Sequence, residues 1–210
     1  MKKIKAILFD FDGVMTIDKT GTESVCNYIS KHTGIDKSIF ESEYRKYNND
    51  LSDGKITHLD IWEQLCIKIN ENIPISVLYD SFENTQIDKE MHDFVLSIKN
   101  LNYKTGLITD NKADRIKYIN NKHDLKRYFD VIAVSGELGY GKYSEKIFLY
   151  ALEKLDIDPE ESIFIDNQEK NLIIPEKLGI KTIYFDVKER DMSLLKNKIE
   201  KYGVKIFGTA

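Results

Sequence analysis

The sequence predicts an α/β protein: a Rossmann-like parallel sheet flanked by helices, with a small all-helical unit inserted after the first strand. Three observations carry that expectation. The apolar run Ile4 to Phe9 stops at Asp10-Phe11-Asp12-Gly13, as a strand buried on both faces does where it reaches the sheet edge. Beyond residue 88, short apolar runs alternate with amphipathic segments, which is the pattern of crossover connections in a parallel sheet. Between these two regions, residues 20 to about 84 carry helical spacing and no convincing strand.

Each element has a local reason. Ser38-Ile39-Phe40-Glu41 reads as a capping box that opens a helix. Thr57 caps the next, in which Leu59, Trp62, Leu65, Cys66 and Ile69 recur at helical spacing. Asp88 caps a helix that carries Met91, Phe94, Val95, Ile98 and Leu101 on one face. Strands follow at Lys104 to Ile108, Val131 to Val134, Ser162 to Ile165 and Thr182 to Phe185. Ile147, Phe148, Ala151, Leu152 and Leu155 mark one intervening helix, with Ser144 as its cap, and Leu172 to Leu178 belong to another. Val204 to Phe207 is a last short strand or a tail. The expected domains are an α/β core of residues 1–15 and 85–210 and a helical unit of residues 16–84.

Composition excludes several classes of function. The 210 residues are 41% hydrophobic and 31% charged, which is ordinary for a globular protein. A net charge of −4 provides no positive field for nucleic acid, and Lys196, Lys198 and Lys201 are spaced as a solvated helix face. No stretch approaches the ~20 apolar residues of a membrane helix. Lys2, Lys3 and Lys5 precede too short an apolar run for a signal peptide. Cys26 and Cys66 form no CxxC pair and suit small core positions in a reducing cytoplasm. His32, His58, His92 and His123 show no metal-ligand spacing. Oligomeric state is not legible.

Polar residues at strand ends supply the chemistry. Asp10 and Asp12, Thr109 and Asp166 each end an apolar run, and in a parallel sheet those ends share one edge, where ligands bind. Lys142 lies in the loop Gly139-Tyr140-Gly141-Lys142, a loop that could face the same side. A carboxylate attacking a phosphate dianion meets like-charge repulsion. A divalent cation held by Asp10 and Asp166, with Lys142 and the Thr109 hydroxyl, removes it. With that repulsion removed, Asp10 could accept the phosphoryl group, and Asp12 could protonate the leaving alcohol and later deprotonate water. Asp110 and Asn111, next to Thr109, are candidates to line the substrate site. Tyr44 and Tyr47 lie three apart near Arg45, a spacing that favours helix packing over substrate contact.

At these residues the chain resembles the haloacid dehalogenase superfamily, in its phosphatase-type branch. Asp10-Phe11-Asp12-Gly13-Val14 matches the first motif and Leu107-Ile108-Thr109 the second. Lys142, followed by Ile147-Phe148, matches the third, and Ile163-Phe164-Ile165-Asp166-Asn167 with Asn171 the fourth. The resemblance implies magnesium bound by the Asp10 side chain, the Asp12 backbone carbonyl and Asp166. It implies Asp10, Asp12, Thr109 and Lys142 as catalytic residues and Thr109, Asp110, Asn111 and Lys142 around a small phosphate ester. Two positions depart from the pattern: Asn167 stands where a second acid is common, and Tyr143-Ser144-Glu145 follow Lys142 in place of proline-aspartate-proline. From Asp10 to Thr109 is 99 positions, whereas a crossover needs on the order of 10 to 30. The excess resembles a cap closing over the site, and Asp53-Gly54-Lys55-Ile56-Thr57 with Trp62 resembles the cap of sugar-phosphate phosphatases and of the phosphatase-like domain attached to epoxide hydrolases. The expected activity is a magnesium-dependent phosphatase working through an aspartyl-phosphate. The alternatives are a phosphoglucomutase-like transferase or a binding protein that has lost turnover.

Overall fold

A computed structural model describes residues 2–206. Five strands form one parallel sheet: β1 (Ala6–Phe9), β2 (Lys104–Thr109), β3 (Val131–Val134), β4 (Ser162–Asp166) and β5 (Lys181–Tyr184), in the spatial order β3-β2-β1-β4-β5. The chain winds outward from β1 to β3, then returns to the other side of β1 for β4, so the order reverses between β1 and β4. Ligands of open α/β sheets bind at such a switch point, beyond the strand carboxyl ends. Phe9 is in register with Leu107 on one side and Ile165 on the other, and the Asp10 N–H donates to the Ile165 carbonyl, 2.9 Å. Asp10 and Asp166 therefore leave neighbouring strands at the same level.

Alternation along β1 divides the core. Ile7 and Phe9 pack on one face with Leu107, Val134, Ile163 and Ile165, beneath α6 (Lys89–Asn100). Ala6 and Leu8 pack on the other with Ile108, Ala133 and Phe164, beneath α10 (Glu145–Leu155). α11 (Ile173–Lys177) and α12 (Met192–Glu200) flank β5. α7 (Ala113–His123) and α8 (Leu125–Tyr128) link β2 to β3, and α9 (Ser135–Leu138) follows β3.

Between β1 and α6 the chain makes a helical excursion: α1 (Gly21–Thr33), α2 (Lys37–Tyr44), α3 (Asn48–Ser52), α4 (His58–Lys68) and α5 (Ile75–Glu83). Its two ends meet in an antiparallel bridge between Thr16 and Ile87, so the excursion leaves and re-enters at one point. Phe40, Tyr44, Trp62 and Phe82 fill its interior, continuous with the α6 side of the sheet. Tyr79 of α5 stacks on Tyr118 of α7 at 4.5 Å. Among the described residues no helix is long and apolar enough to cross a membrane.

Thr57 caps α4 with a full capping box to Asp60, Asp88 caps α6 and Ser144 caps α10, as the sequence predicts. Ser38 does not cap α2. The cap is Asp36, whose carboxylate accepts from the Ser38 and Ile39 N–H groups and, being charged, outcompetes a hydroxyl for them. Of the two readings for 204–207, a last short strand or a tail, residues 204–206 form no strand, and Phe207 lies outside the described residues. Cys26 and Cys66 are buried free thiols, and burial pushes the Cys26 thiol up to about 12.

Candidate active site

The strand-end residues converge. Lys142 Nζ lies 2.5 Å from Asp10 Oδ1 and 2.7 Å from Asp166 Oδ2, with all three side chains buried. Burial pushes the Asp10 carboxyl well above the usual carboxylate range; Lys142 opposes that shift and Asp166 adds to it. Burial also works against the Lys142 charge, but Asp10 and Asp166 outweigh it and raise the ammonium above the ordinary lysine range. The Gln168 N–H and the Asn171 amide donate to Asp166, at 2.7 and 3.1 Å. Lys142 is fixed by its backbone N–H, which donates to Asp110 Oδ1 at 2.7 Å.

Two buried carboxylates thus face one ammonium. Such an excess of buried negative charge, on oxygen donors, suits a hard divalent cation. Among the described residues no group of three His, Cys, Asp or Glu side chains gathers to hold a metal, so a further ligand would come from backbone or water. Asn167 sends its amide N–H to the Lys19 carbonyl, 3.2 Å, and its buried Oδ1 has no partner.

The turn after β1 is tightly fixed. The Gly13 N–H donates to Thr16 Oγ1 at 2.9 Å, and Arg190 donates to the Gly13 and Val14 carbonyls at 2.9 and 3.1 Å. Gly13 has φ +87°, and a Cβ there would come within 2.0 Å of the Asn167 amide nitrogen, so only glycine fits.

Asp12 has different company from Asp10. Arg115 of α7 forks onto it, Nη1 to Oδ2 and Nη2 to Oδ1, both 2.9 Å, and Asn111 Nδ2 donates to Oδ2 at 2.7 Å. Asn111 is buried behind Asp12 and does not line the cavity, so its amide serves the acid directly. Thr109 and Asp110 do line it, and the Thr109 hydroxyl is nearly buried at the end of β2.

The cavity has a volume of about 710 Å³ and lies between the strand ends and the excursion. Asp10, Asp12 and Lys142 form its floor; Thr20, Thr22, Asn48, Asn49 and Ser52 face them from the excursion. Lys112 reaches across, donating from Nζ to Asn48 Oδ1 at 2.6 Å. Burial, then the Arg115 charge, pulls its ammonium down to about 8. Arg45 lines this cavity, but Tyr44 and Tyr47 do not. The buried Tyr44 hydroxyl pairs with His58 Nε2 at 2.7 Å, and His58 Nδ1 pairs with Asp114 at 2.7 Å, joining α4 to α7.

Arg115 and Lys112 escape a motif-based reading. The signal for Arg115 is a charge interrupting the stripe Ile116, Ile119 on α7, four residues after Asn111. A buried arginine in such a stripe requires a buried acid opposite.

Comparisons with known proteins agree with this architecture. The family model described as haloacid dehalogenase-like hydrolase matches residues 7–185. Mouse acyl-CoA dehydrogenase family member 10 is 26% identical over 88% of this chain and pig bifunctional epoxide hydrolase 2 is 24% identical over 98%. The chain spans only 18% and 40% of those two proteins. A phosphorylated carbohydrates phosphatase of Thermotoga maritima is 24% identical over 86% of this chain and 84% of its own length. Among solved structures, a HAD family enzyme of Bacteroides thetaiotaomicron superposes with a TM-score of 0.74 at 22% identity, covering 93% of this chain and 99% of that one. On the family match and the fold together, the chain belongs to the haloacid dehalogenase-like hydrolases.

Proposed function

We propose that the protein is a magnesium-dependent phosphatase of small phosphorylated metabolites, with Asp10 as nucleophile. The observation that carries this reading is the Asp10–Lys142–Asp166 cluster at the sheet's switch point, with the second acid Asp12 two residues on. Asp10 attacks the phosphorus and the ester bond breaks, leaving an acyl phosphate on Asp10. Asp12 gives its proton to the departing alkoxide, then takes one from the water that cleaves the acyl phosphate. Lys142 and the Thr109 hydroxyl stabilise the charge on the phosphoryl oxygens.

Asp10, Asp166 and the Asp12 backbone carbonyl would hold the ion. When bound, magnesium neutralises the repulsion between nucleophile and phosphate. Its presence with inorganic phosphate in a structure of the Bacteroides thetaiotaomicron enzyme supports that choice of metal. Residues 16–84 act as a cap domain over a core of 1–15 and 85–210. The hydroxyl and amide groups of Thr20, Thr22, Asn48 and Asn49 suit a polyol, so a sugar phosphate is the proposed substrate class. The phosphatase relative from Thermotoga maritima supports that class. Buried free thiols suit a reducing compartment, and the cytoplasm is the proposed location.

The test is hydrolysis of a panel of phosphate monoesters with and without magnesium, beside Asp10→Asn. Magnesium-dependent turnover that disappears in Asp10→Asn is expected. Activity of the wild type no greater than that background refutes the proposal.

A further inference from the structure

We infer that Arg115 is a positioning residue for acid–base catalysis: its fork fixes the Asp12 carboxylate so that Oδ1 alone exchanges protons. This rests on the reading of Asp12 as the proton shuttle.

Each carboxylate oxygen has two acceptor sites. Oδ2 of Asp12 uses both, on Arg115 Nη1 at 2.9 Å and Asn111 Nδ2 at 2.7 Å. Oδ1 uses one, on Arg115 Nη2 at 2.9 Å, and keeps the other free. Asp12 lines the cavity, so the free site lies on the carboxylate that borders the substrate. A bidentate arginine sets the plane of the carboxylate as well as its position, which a lysine cannot do.

Arg115 is itself immobilised. It is 1% exposed, sits over the Phe11 ring at 5.9 Å, and donates to Asn111 Oδ1 at 3.1 Å. Its space is provided by Gly21, the first residue of α1: a Cβ there would lie 2.5 Å from Nη1 and 2.9 Å from Asp12 Oδ2. A buried ion pair is weak evidence for stability as such, since an apolar pair of similar volume often does as well. Here the guanidinium instead grips the one acid that the proposed reaction requires to move a proton at a defined point. Asp114, the preceding residue, holds His58 of α4, so the first turn of α7 ties the excursion and the acid to one rigid element.

The experiment measures kcat/KM for p-nitrophenyl phosphate, whose leaving group departs without a proton, and for glycerol 2-phosphate, whose alkoxide needs one. The proteins are wild type, Asp12→Ala, Arg115→Lys, Arg115→Ala and Asn111→Ala. Asp12→Ala should lose on the order of 10²-fold on the alkyl ester and far less on the aryl ester. Arg115→Ala should show the same split, and Arg115→Lys and Asn111→Ala a smaller split of the same sign. Equal losses on both esters in the Arg115 variants, with the split intact in Asp12→Ala, overturn the inference. No split in Asp12→Ala instead overturns the reading of Asp12 beneath it. If Arg115→Ala fails to fold, Arg115→Lys and Asn111→Ala decide: a wild-type ester ratio in both overturns the fork.

Discussion

Burial of His92 should make the fold acid-labile independently of the carboxylates at the strand ends. The side chain on α6 is 4% exposed, packs edge-on against Tyr128 at 4.6 Å, and leaves Nε2 without a partner. Burial, then the charge of His123, lowers its pKa from 6.5 to about 4; the Met15 carbonyl and the acids Asp88 and Asp93 oppose this only in part. Because the folded-state value is the lower one, the unfolded chain binds the extra proton. The stabilisation is complete above about pH 6.5, declines as the pH falls, and is exhausted near pH 4. The drop from 6.5 to about 4 is equivalent to roughly 3 kcal/mol in full, of which about 2 kcal/mol is lost between pH 7 and pH 5. His92→Phe keeps an aromatic ring against Tyr128 and removes the titration. Urea unfolding of both proteins at pH 7 and pH 5 isolates the residue, since every other group titrates in both. The wild type should lose about 2 kcal/mol more than the variant over that interval, with m unchanged. Parallel losses in the two proteins would refute this role for His92.

Other expected outcomes concern the site and its framework. Lys142→Met should lower kcat on any phosphate monoester by about 10²–10³-fold, the usual cost of removing one preorganised charge stabiliser, as read by steady-state kinetics. Asp114→Ala removes the acceptor of the His58 Nδ1 bond and an acid from the first turn of α7. It should cost about 1–3 kcal/mol in urea unfolding, while His58, left without that partner, stays buried.

Much of this architecture is legible in the sequence because its signals are local. Ile7 to Phe9, Leu107 to Ile108 and Ile163 to Ile165 are buried strands whose apolar runs end at the residues the sheet aligns. Thr57 and Asp88 reveal helix starts by composition alone. Ser38 misleads because two acceptors, Asp36 and Ser38, compete within one turn, and charge decides between them. Arg115, Lys112 and Gly21 stay hidden for another reason. Their importance comes from contacts between α7 and residues about one hundred positions earlier, or between the residue that precedes α7 and α3. No spacing rule along the chain encodes those contacts.

The same distinction separates the surroundings of two acids one residue apart. Asp10 and Asp12 share a turn and a chemical type, so sequence alone assigns them by order. In the structure each has its own cation from a distant segment: Lys142, from the loop between α9 and α10, spans Asp10 and Asp166, whereas Arg115 of α7 forks onto Asp12. The first arrangement shares one ammonium between two carboxylates, which favours recruitment of a further cation beside Asp10. The second matches one guanidinium to one carboxylate and leaves a single acceptor site open on Oδ1.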